Sequence, residues 1–437
     1  MSYEPVDVIE VRAWGRHVGA VAADPATGWY AFEYAPDWID DGIELAPLWM
    51  PNGPGAHEFP ELNPTTFHRL PALLADVLPD RFGNALVNAW MAEHGVPVGR
   101  ITALDRLAYA ADRALGALEF RPPARDSAGA EPTAVLLADL VVAARRVVSG
   151  ELAGDEAARE ALAQLIQVGT SAGGARAKAV AAFNPATSQV RSAYAELPAG
   201  FEQWLIKLDG VSGEGMDGHG DRLGDGAPYG RIEYAYHLMA AAAGVDMAPC
   251  RLLAEGPRRH FMTRRFDRGE DGSRLHLQSL CAIAHLDFNL VGTHSYDQFL
   301  GTVTALGMDG DVLAQAYRRM VFNVMAVNRD DHTKNLAFLL ADGGTWQLAP
   351  AFDVTHAYRP DSEWTARHLM SVNGRFEDMG VEDLWAVGER HQVPGYRRVI
   401  REVRAAVEGW QSFAADAEVD DVSVAAIAAD MERFRPR

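Results

Sequence analysis

The chain has 437 residues, which is more than one compact core holds and predicts two or three domains. Its composition, 48% apolar and 23% charged, is that of an ordinary globular protein rather than a fibrous or disordered one. The formal net charge of −20 disfavours a broad nucleic-acid-binding face on this chain.

The cysteines and the apolar residues indicate the compartment. Cys250 and Cys281 provide no disulfide framework and fit a reducing environment. The residues after Met1 include acids and no apolar leader, and no stretch reaches the run of about 18 apolar residues that a membrane span needs. We therefore expect a cytoplasmic protein without a membrane partner.

The first part of the chain, residues 1–122, is predicted to be an N-terminal subdomain that is rich in strands. Strands are expected at 8–11, 19–21 and 116–120, with a turn at 24–28, and helices at 67–78, 84–94 and 105–114. The stretch 121–129 has the proline and glycine content of a linker. A second domain is expected over 132–437.

A glycine-rich turn at 168–178 follows two helical patterns, at 133–149 and 155–165. Its glycines allow backbone N–H groups to approach an anion, although for this turn taken alone a plain hairpin turn is the favoured interpretation. The glycine-rich stretch 213–230 fits a mobile insertion better than a calcium loop, because its acids match no known loop spacing.

Lys207 ends an apolar strand pattern at 203–208, which is unusual because an unpaired buried charge is costly. Its position is similar to that of the strand lysine that binds ATP phosphates in kinases. Glu233, at the start of a predicted helix, is a candidate partner for it. The alternative is an edge lysine that points into water.

The segment 261–268 also has two interpretations. In a two-lobed kinase the hinge that contacts adenine lies between the lysine strand and the catalytic loop, which is where this segment falls. A surface basic turn with an Asp267 ion pair is the competing interpretation.

The segment from Asn328 to Asp353 carries the strongest chemical signal. Apolar runs on both sides of Asp342-Gly343-Gly344 predict a β-hairpin, which brings Asn335 at its entrance close to Asp353 past its exit. Asp330 stands five residues before Asn335, the spacing of a kinase catalytic loop. Oxygen ligands of this kind suit magnesium.

Simpler interpretations exist for the acids of this loop. Asp330, Asp331 and His332 could form a turn, a cap or a surface ion pair. Zinc fits poorly, because neither paired cysteines nor a second histidine stand at ligand spacing. The order of the elements favours phosphoryl transfer: glycine-rich turn, strand lysine, Asp-x4-Asn and a metal aspartate.

These residues resemble the HipA family of bacterial serine/threonine kinase toxins. The matching stretches are 78–84, 116–120, 171–178, 204–207, 265–268, 328–335 and 348–353. The resemblance implies an α+β fold that is two-lobed and protein-kinase-like, with the β-rich N-terminal subdomain and an all-helical C-terminal region. It places the nucleotide-binding lobe at about 150–266 and the catalytic helical lobe at 267–437. It also implies ATP and magnesium as cofactors.

The resemblance assigns roles to individual residues. Asp330 would be the catalytic base, and Asn335 and Asp353 the metal ligands. Lys207 would contact the ATP phosphates, and Ser171 would be the site of an inhibitory autophosphorylation. The remaining nucleotide-binding residues are Gly173, Gly174, Ala175, Arg176, Ala177 and Lys178 in the phosphate loop, Arg264, Arg265 and Phe266 at the hinge, and His332 and Lys334 beside the base.

The partners implied by the resemblance are a small helix-turn-helix antitoxin (HipB-like), which makes the DNA contacts, and a protein substrate, in known members an aminoacyl-tRNA synthetase. Two departures from the family stand out. Family members can carry an acid at the position of Arg264, and some have Glu-Asp where this chain has Gln278-Ser279-Leu280-Cys281. The alternatives are a small-molecule kinase and an inactive pseudokinase that acts as a corepressor. Retention of Asp330, Asn335, Asp353 and Lys207 argues against the pseudokinase.

Overall fold

The structure is a computed structural model that describes residues 3–79, 81–124, 137–149, 177–193, 197–211, 228–269 and 271–437. The described residues form two compact units. The first unit takes those within 1–216, 264–287 and 339–345, and the second takes those within 217–263, 288–338 and 346–437. The domain boundaries expected from the sequence, 1–122 and 132–437, stay a prediction. Most of the glycine-rich stretches at 168–178 and 213–230 lies outside the described residues, as does the helical pattern at 155–165.

A five-stranded antiparallel sheet forms the N-terminal part of the first unit, and three of its strands lie where the sequence predicts strands. In spatial order its strands are Ala56–His57, Tyr30–Tyr34, Arg16–Ala23, Val8–Ala13 and Leu118–Arg121. Every second residue of Val8–Ala13 is fully buried, which gives this strand its core-facing side. The predicted turn at 24–28 is present, with the N–H of Gly28 donating to the carbonyl of Asp24 at 2.8 Å.

The helices of the first unit follow the sequence pattern with one exception. The single helix expected at 67–78 is wrong, because the chain forms two short helices, Pro64–Phe67 and Ala72–Ala75. Pro71 lacks an N–H and disfavours helical geometry in the residue before it, and His68 and Arg69 have positive φ angles. The other helices are Pro36–Asp41, Arg81–Glu93, Ala103–Ala110, Leu137–Ser149 and Leu280–Ile283.

A second antiparallel sheet of the first unit carries the predicted strand lysine. Its strands here are Gln189–Ser192, Lys178–Asn184 and Glu202–Lys207. The register places Lys178 directly opposite Lys207. A further strand, His276–Ser279, precedes the helix at 280–283.

The second unit is mostly helical. Its helices are Tyr229–Ala242, Tyr296–Ala305, Gly310–Met325, Val381–Arg390, Tyr396–Glu408, Trp410–Asp416 and Asp421–Arg433. Its strands are Cys250–Glu255 and Arg258–Arg264, which pair antiparallel, His294–Ser295 and Met370–Ser371, which pair parallel, and Trp346–Leu348. The strand Ala337–Leu340 begins in this unit; its last two residues, like Arg264, belong to the first unit. From Val381 onward the chain is helical, as expected for the C-terminal region. None of the helices within the described residues is both long and apolar enough to cross a bilayer.

A buried ion-pair cluster around Asp267 fixes distant segments within the first unit. Arg265 donates to both carboxylate oxygens of Asp267, at 2.9 and 2.6 Å, and Arg268 donates to Oδ2 at 2.8 Å. The N–H of Gly116 donates to the same oxygen at 2.7 Å. Burial alone would raise the pKa of Asp267, but the two guanidinium groups outweigh it and hold the pKa well below its usual range.

We expect Asp267→Asn to destabilise the first unit by about 3–5 kcal/mol, because it leaves Arg265 buried without its counter-charge. A depressed pKa stabilises the fold above the unfolded value of about 4, and this contribution is lost as the pH falls. Urea unfolding from pH 7 to pH 3 should therefore show the difference between the variant and the wild type beginning to narrow below about pH 4 without closing, because the folded pKa lies well below that range. The exposed Asp271→Asn is the control, and an equal loss in both variants would contradict the assignment.

Candidate active site

The loop 328–335 begins at a strained residue that the surrounding backbone holds in place. Val327 is fully buried and has a φ of +56°, a left-handed conformation that costs a β-branched residue about 1–3 kcal/mol. Ala357 offsets this by donating its N–H to the carbonyl of Val327 at 3.1 Å and accepting from the N–H of Arg329 at 3.2 Å. The helix Gly310–Met325 ends just before it. The start of the loop is therefore fixed from both sides.

The hairpin predicted around Asp-Gly-Gly is confirmed. The N–H of Ala349 donates to the carbonyl of Ala337 at 3.0 Å, so the chain returns on itself between these residues. Arg319 donates from its guanidinium to the carbonyl of Ala349 and so holds the exit of the hairpin. Burial lowers the pKa of Arg319 to about 10, which leaves the group charged at neutral pH.

Asn335 and Asp353 line one small cavity of the second unit, with a volume of about 20 Å³. Asn328 and Asp331 line it as well. A cavity needs roughly 10–15 Å³ to hold one water-sized particle. The cavity therefore has room for a single small ion or water between the two residues that were predicted to bind metal.

The donor atoms at this cavity fit magnesium. The side-chain nitrogen of Asn335 donates to the carbonyl of Asp330 at 2.8 Å, so its oxygen is the atom that can ligate a cation. Asn328 is 3% exposed, and none of the described residues donates a hydrogen bond to its side-chain oxygen. Oxygen donors from amides and a carboxylate are the set that magnesium prefers. No cluster of three or more His, Cys, Asp and Glu side chains that could hold a metal occurs among the described residues.

Asp330 is the acid of the loop with a partly exposed side chain. That side chain is 32% exposed, whereas its Oδ1 atom is buried and accepts no hydrogen bond within the described part of the chain. His332 Nε2 lies 3.7 Å from that oxygen, so the ion pair of the simpler interpretation is present but long. The rings of His332 and Phe288 lie 5.4 Å apart, and Lys334 Nζ lies 5.4 Å from the centroid of Phe288.

The neighbouring Asp331 has a structural role that the sequence did not indicate. Its carboxylate is buried and accepts hydrogen bonds from the Tyr296 hydroxyl at 2.8 Å, His368 Nδ1 at 2.8 Å and the N–H of Leu369 at 2.7 Å. Asn323 donates to the same hydroxyl at 2.9 Å, and Asn328 donates to Asn323 at 2.9 Å. Burial, and then the Asp331 charge, raise the pKa of Tyr296 well above its usual value. No local spacing links these residues, so only the folded chain reveals the network.

Of the residues expected on the phosphate side, Ser171, Gly173, Gly174, Ala175 and Arg176 lie outside the described residues. The carbonyl of Ala177 accepts the N–H of Leu208 at 3.0 Å, which closes the end of the strand pair. Lys178 is 2% exposed and faces Lys207 across the two strands. Two lysines directly opposite each other repel unless an anion or a carboxylate lies between them. This pair belongs to the first unit and the Asp330 loop to the second.

The segment expected at the adenine hinge combines both interpretations of the sequence. Arg264 lies 3.9 Å from Glu202, an ion pair at the limit of contact. Arg265 forms the Asp267 ion pair, which is buried rather than at the surface, and its N–H donates to the carbonyl of Gln203 at 2.9 Å. We therefore infer that Arg265 holds the segment in position rather than binding nucleotide through its side chain.

Comparison with known proteins gives two matches to family models. Residues 9–121 match the HipA N-terminal domain, and residues 170–410, more than half of the chain, match the HipA-like C-terminal domain. The protein Y4dM of Sinorhizobium fredii, named a candidate kinase, is 30% identical over 95 residues. That match covers 21% of this chain and only 22% of the length of Y4dM.

The solved structure of HipA from Shewanella oneidensis, in complex with HipB and its operator DNA, has the same fold. The TM-score is 0.65 with 15% sequence identity, and the superposition covers 98% of this chain and 95% of that one. The predicted α+β fold of the HipA, kinase-like type is therefore confirmed.

Substitution of the two adjacent aspartates should change the free energy of unfolding by very different amounts. Asp331→Ala leaves three buried donors without an acceptor, at about 1–3 kcal/mol each, so we expect a loss of more than about 3 kcal/mol in the free energy of unfolding. Asp330→Ala removes a partly exposed side chain and should change stability by about 0.5 kcal/mol or less. Urea unfolding of both variants measures this, and equal losses would rule out the division of roles.

Proposed function

The chain belongs to the HipA family, and on that premise we propose that it is an ATP- and magnesium-dependent serine/threonine protein kinase of the toxin type. One observation carries the proposal: Asn335 and Asp353 line one cavity, and the side-chain nitrogen of Asn335 donates a hydrogen bond to the backbone carbonyl of Asp330. The proposed acceptor is a hydroxyl of a protein, and the resemblance points to an aminoacyl-tRNA synthetase. Action in the cytoplasm is part of the proposal.

In this proposal the residues of the loop position the acceptor. The partly exposed carboxylate of Asp330 accepts a hydrogen bond from the serine or threonine hydroxyl and takes its proton as the hydroxyl oxygen bonds to the γ-phosphorus. The bond from the γ-phosphorus to the β-phosphate oxygen breaks, and ADP leaves. Asn335 and Asp353 would hold magnesium, which neutralises charge on the phosphate oxygens when bound. Lys207, with Lys178 opposite it, would bind the phosphates.

Regulation and partners extend the proposal. Ser171 is proposed to accept a phosphate from the chain itself, and about two added negative charges in the phosphate loop would repel ATP. A helix-turn-helix antitoxin is proposed to hold the chain and to supply the DNA contacts. The Shewanella protein is solved with such a partner and its operator, and the net charge of −20 here fits DNA binding through a partner.

Purified chain incubated with labelled ATP and magnesium should become labelled at Ser171, and Asp330→Ala should reduce the rate by at least about a hundredfold. Asp361→Asn, an exposed acid of the same unit, is the control and should keep the wild-type rate. Mass spectrometry locates the phosphate. Undiminished labelling in Asp330→Ala excludes this residue as the base. Label found on a metabolite favours the small-molecule kinase, and no transfer at all favours the pseudokinase.

Asp353→Asn should weaken magnesium-dependent nucleotide binding about tenfold or more, because it removes the one carboxylate proposed to hold the metal. Titration of a fluorescent ATP analogue with and without magnesium separates the metal effect from direct nucleotide contacts. The same control, Asp361→Asn, should match the wild type. Equal affinity for the magnesium complex in Asp353→Asn would make Asp353 a structural residue.

A further inference from the structure

A second cavity of the second unit, of about 250 Å³, has a positive lining in an acidic chain. Four arginines and two carboxylates line it: Arg329, Arg433, Arg435, Arg437, Glu377 and Asp378. All of these except Arg329 are exposed. We call this space the arginine cavity. Its balance of charge favours an anion.

Arg329 forms the buried end of the arginine cavity. It is 3% exposed, and its guanidinium lies 3.8 Å from the ring centroid of Phe434 and 4.8 Å from that of Tyr358. It donates to the carbonyl of Ala366, while no described residue accepts a hydrogen bond from its Nε. A buried donor without an acceptor costs about 1–3 kcal/mol. An anion in the cavity would supply the missing acceptor.

The C-terminal arginines stand close to this group. Arg433 lies 4.9 Å from the ring centroid of Phe434, so two guanidinium groups share one ring. Both arginines line the cavity, so an anion in it would interact with both guanidinium groups. Arg435 is already paired with Glu408 and Glu432, at 3.6 and 3.2 Å, and contributes less.

The backbone of this tail is fixed, so the arginines need not be gathered by the ligand. The N–H of Val381 donates to the carbonyl of Arg437 at 3.1 Å, and Arg404 donates to the carbonyl of Pro436 at 3.3 Å. A site whose backbone is held before binding loses less conformational entropy when a ligand arrives.

We propose that the arginine cavity binds a phosphomonoester dianion through Arg329, Arg433 and Arg437. Planar guanidinium groups donate two parallel hydrogen bonds to phosphate oxygens, and a dianion needs more than one such partner. A volume of about 250 Å³ admits a phosphoryl group with its ester substituent. The assignment does not depend on kinase activity. A free phosphorylated small molecule and a phosphorylated side chain share this chemistry.

Calorimetric titration of the full chain tests the site, with inorganic phosphate, O-phosphoserine and a short phosphoserine peptide as probes and acetate as the carboxylate control. Each titration is repeated in Lys207→Gln, which removes the proposed nucleotide-phosphate contact. We expect the phosphate probes to bind in both backgrounds and acetate not to bind. The double variant Arg433→Gln/Arg437→Gln should weaken binding about tenfold or more. Arg401→Gln, an exposed arginine of the helix Tyr396–Glu408, is the matched control and should bind as the wild type does.

Affinity that is the same in the double variant and the wild type overturns the proposal, as does an absence of phosphate binding. If Lys207→Gln abolishes binding and the double variant retains it, the probe binds at the nucleotide site, and the proposal is also overturned. Preference for the peptide identifies a phosphorylated side chain as the ligand, and equal binding of inorganic phosphate identifies a small molecule. Because no ATP is used, failure of the proposed kinase activity leaves these outcomes unchanged.

Discussion

The carboxylate of Asp331 is the group on which the candidate site depends. A buried charge is stable only where donors replace the water it has lost, and Asp331 receives three, from Tyr296, His368 and the backbone of Leu369. Tyr296 belongs to one stretch of the second unit, and His368 and Leu369 belong to another. The carboxylate of Asp331 therefore fixes the loop 328–335 to both stretches. Asp331 lines the small cavity and His368 lines the arginine cavity. The hydrogen bond between them therefore connects the two cavities.

Local sequence rules predicted the parts of the site whose geometry is local. A turn of Asp-Gly-Gly between apolar runs makes a hairpin with few alternatives, and a hairpin brings its two ends together. The shared cavity of Asn335 and Asp353 follows from that reasoning. The Asp331 network could not be predicted in this way, because Tyr296 and His368 lie 35 and 37 residues from it and no periodicity relates them.

One error of sequence interpretation has a definite physical cause. The apolar pattern at 67–78 has helical spacing, but Pro71 overrides it, since the missing N–H and the clash with the preceding residue outweigh burial of one continuous face. At 261–268 the sequence left two interpretations open. The ion pair of Arg265 with Asp267 is present inside the first unit, and the adenine hinge stays a prediction.

The first unit is assembled from pieces that are far apart along the chain. Its N-terminal sheet contacts residues near 267 and 342: Gly116 bonds to Asp267, and Arg16 pairs with Asp342. During synthesis the sheet can form early, but the pairing of Arg16 with Asp342 must wait until more than three quarters of the polypeptide has been made. Such late closure makes the nascent protein dependent on its own distal segments, so a translation product that stops short lacks the contacts that hold the sheet.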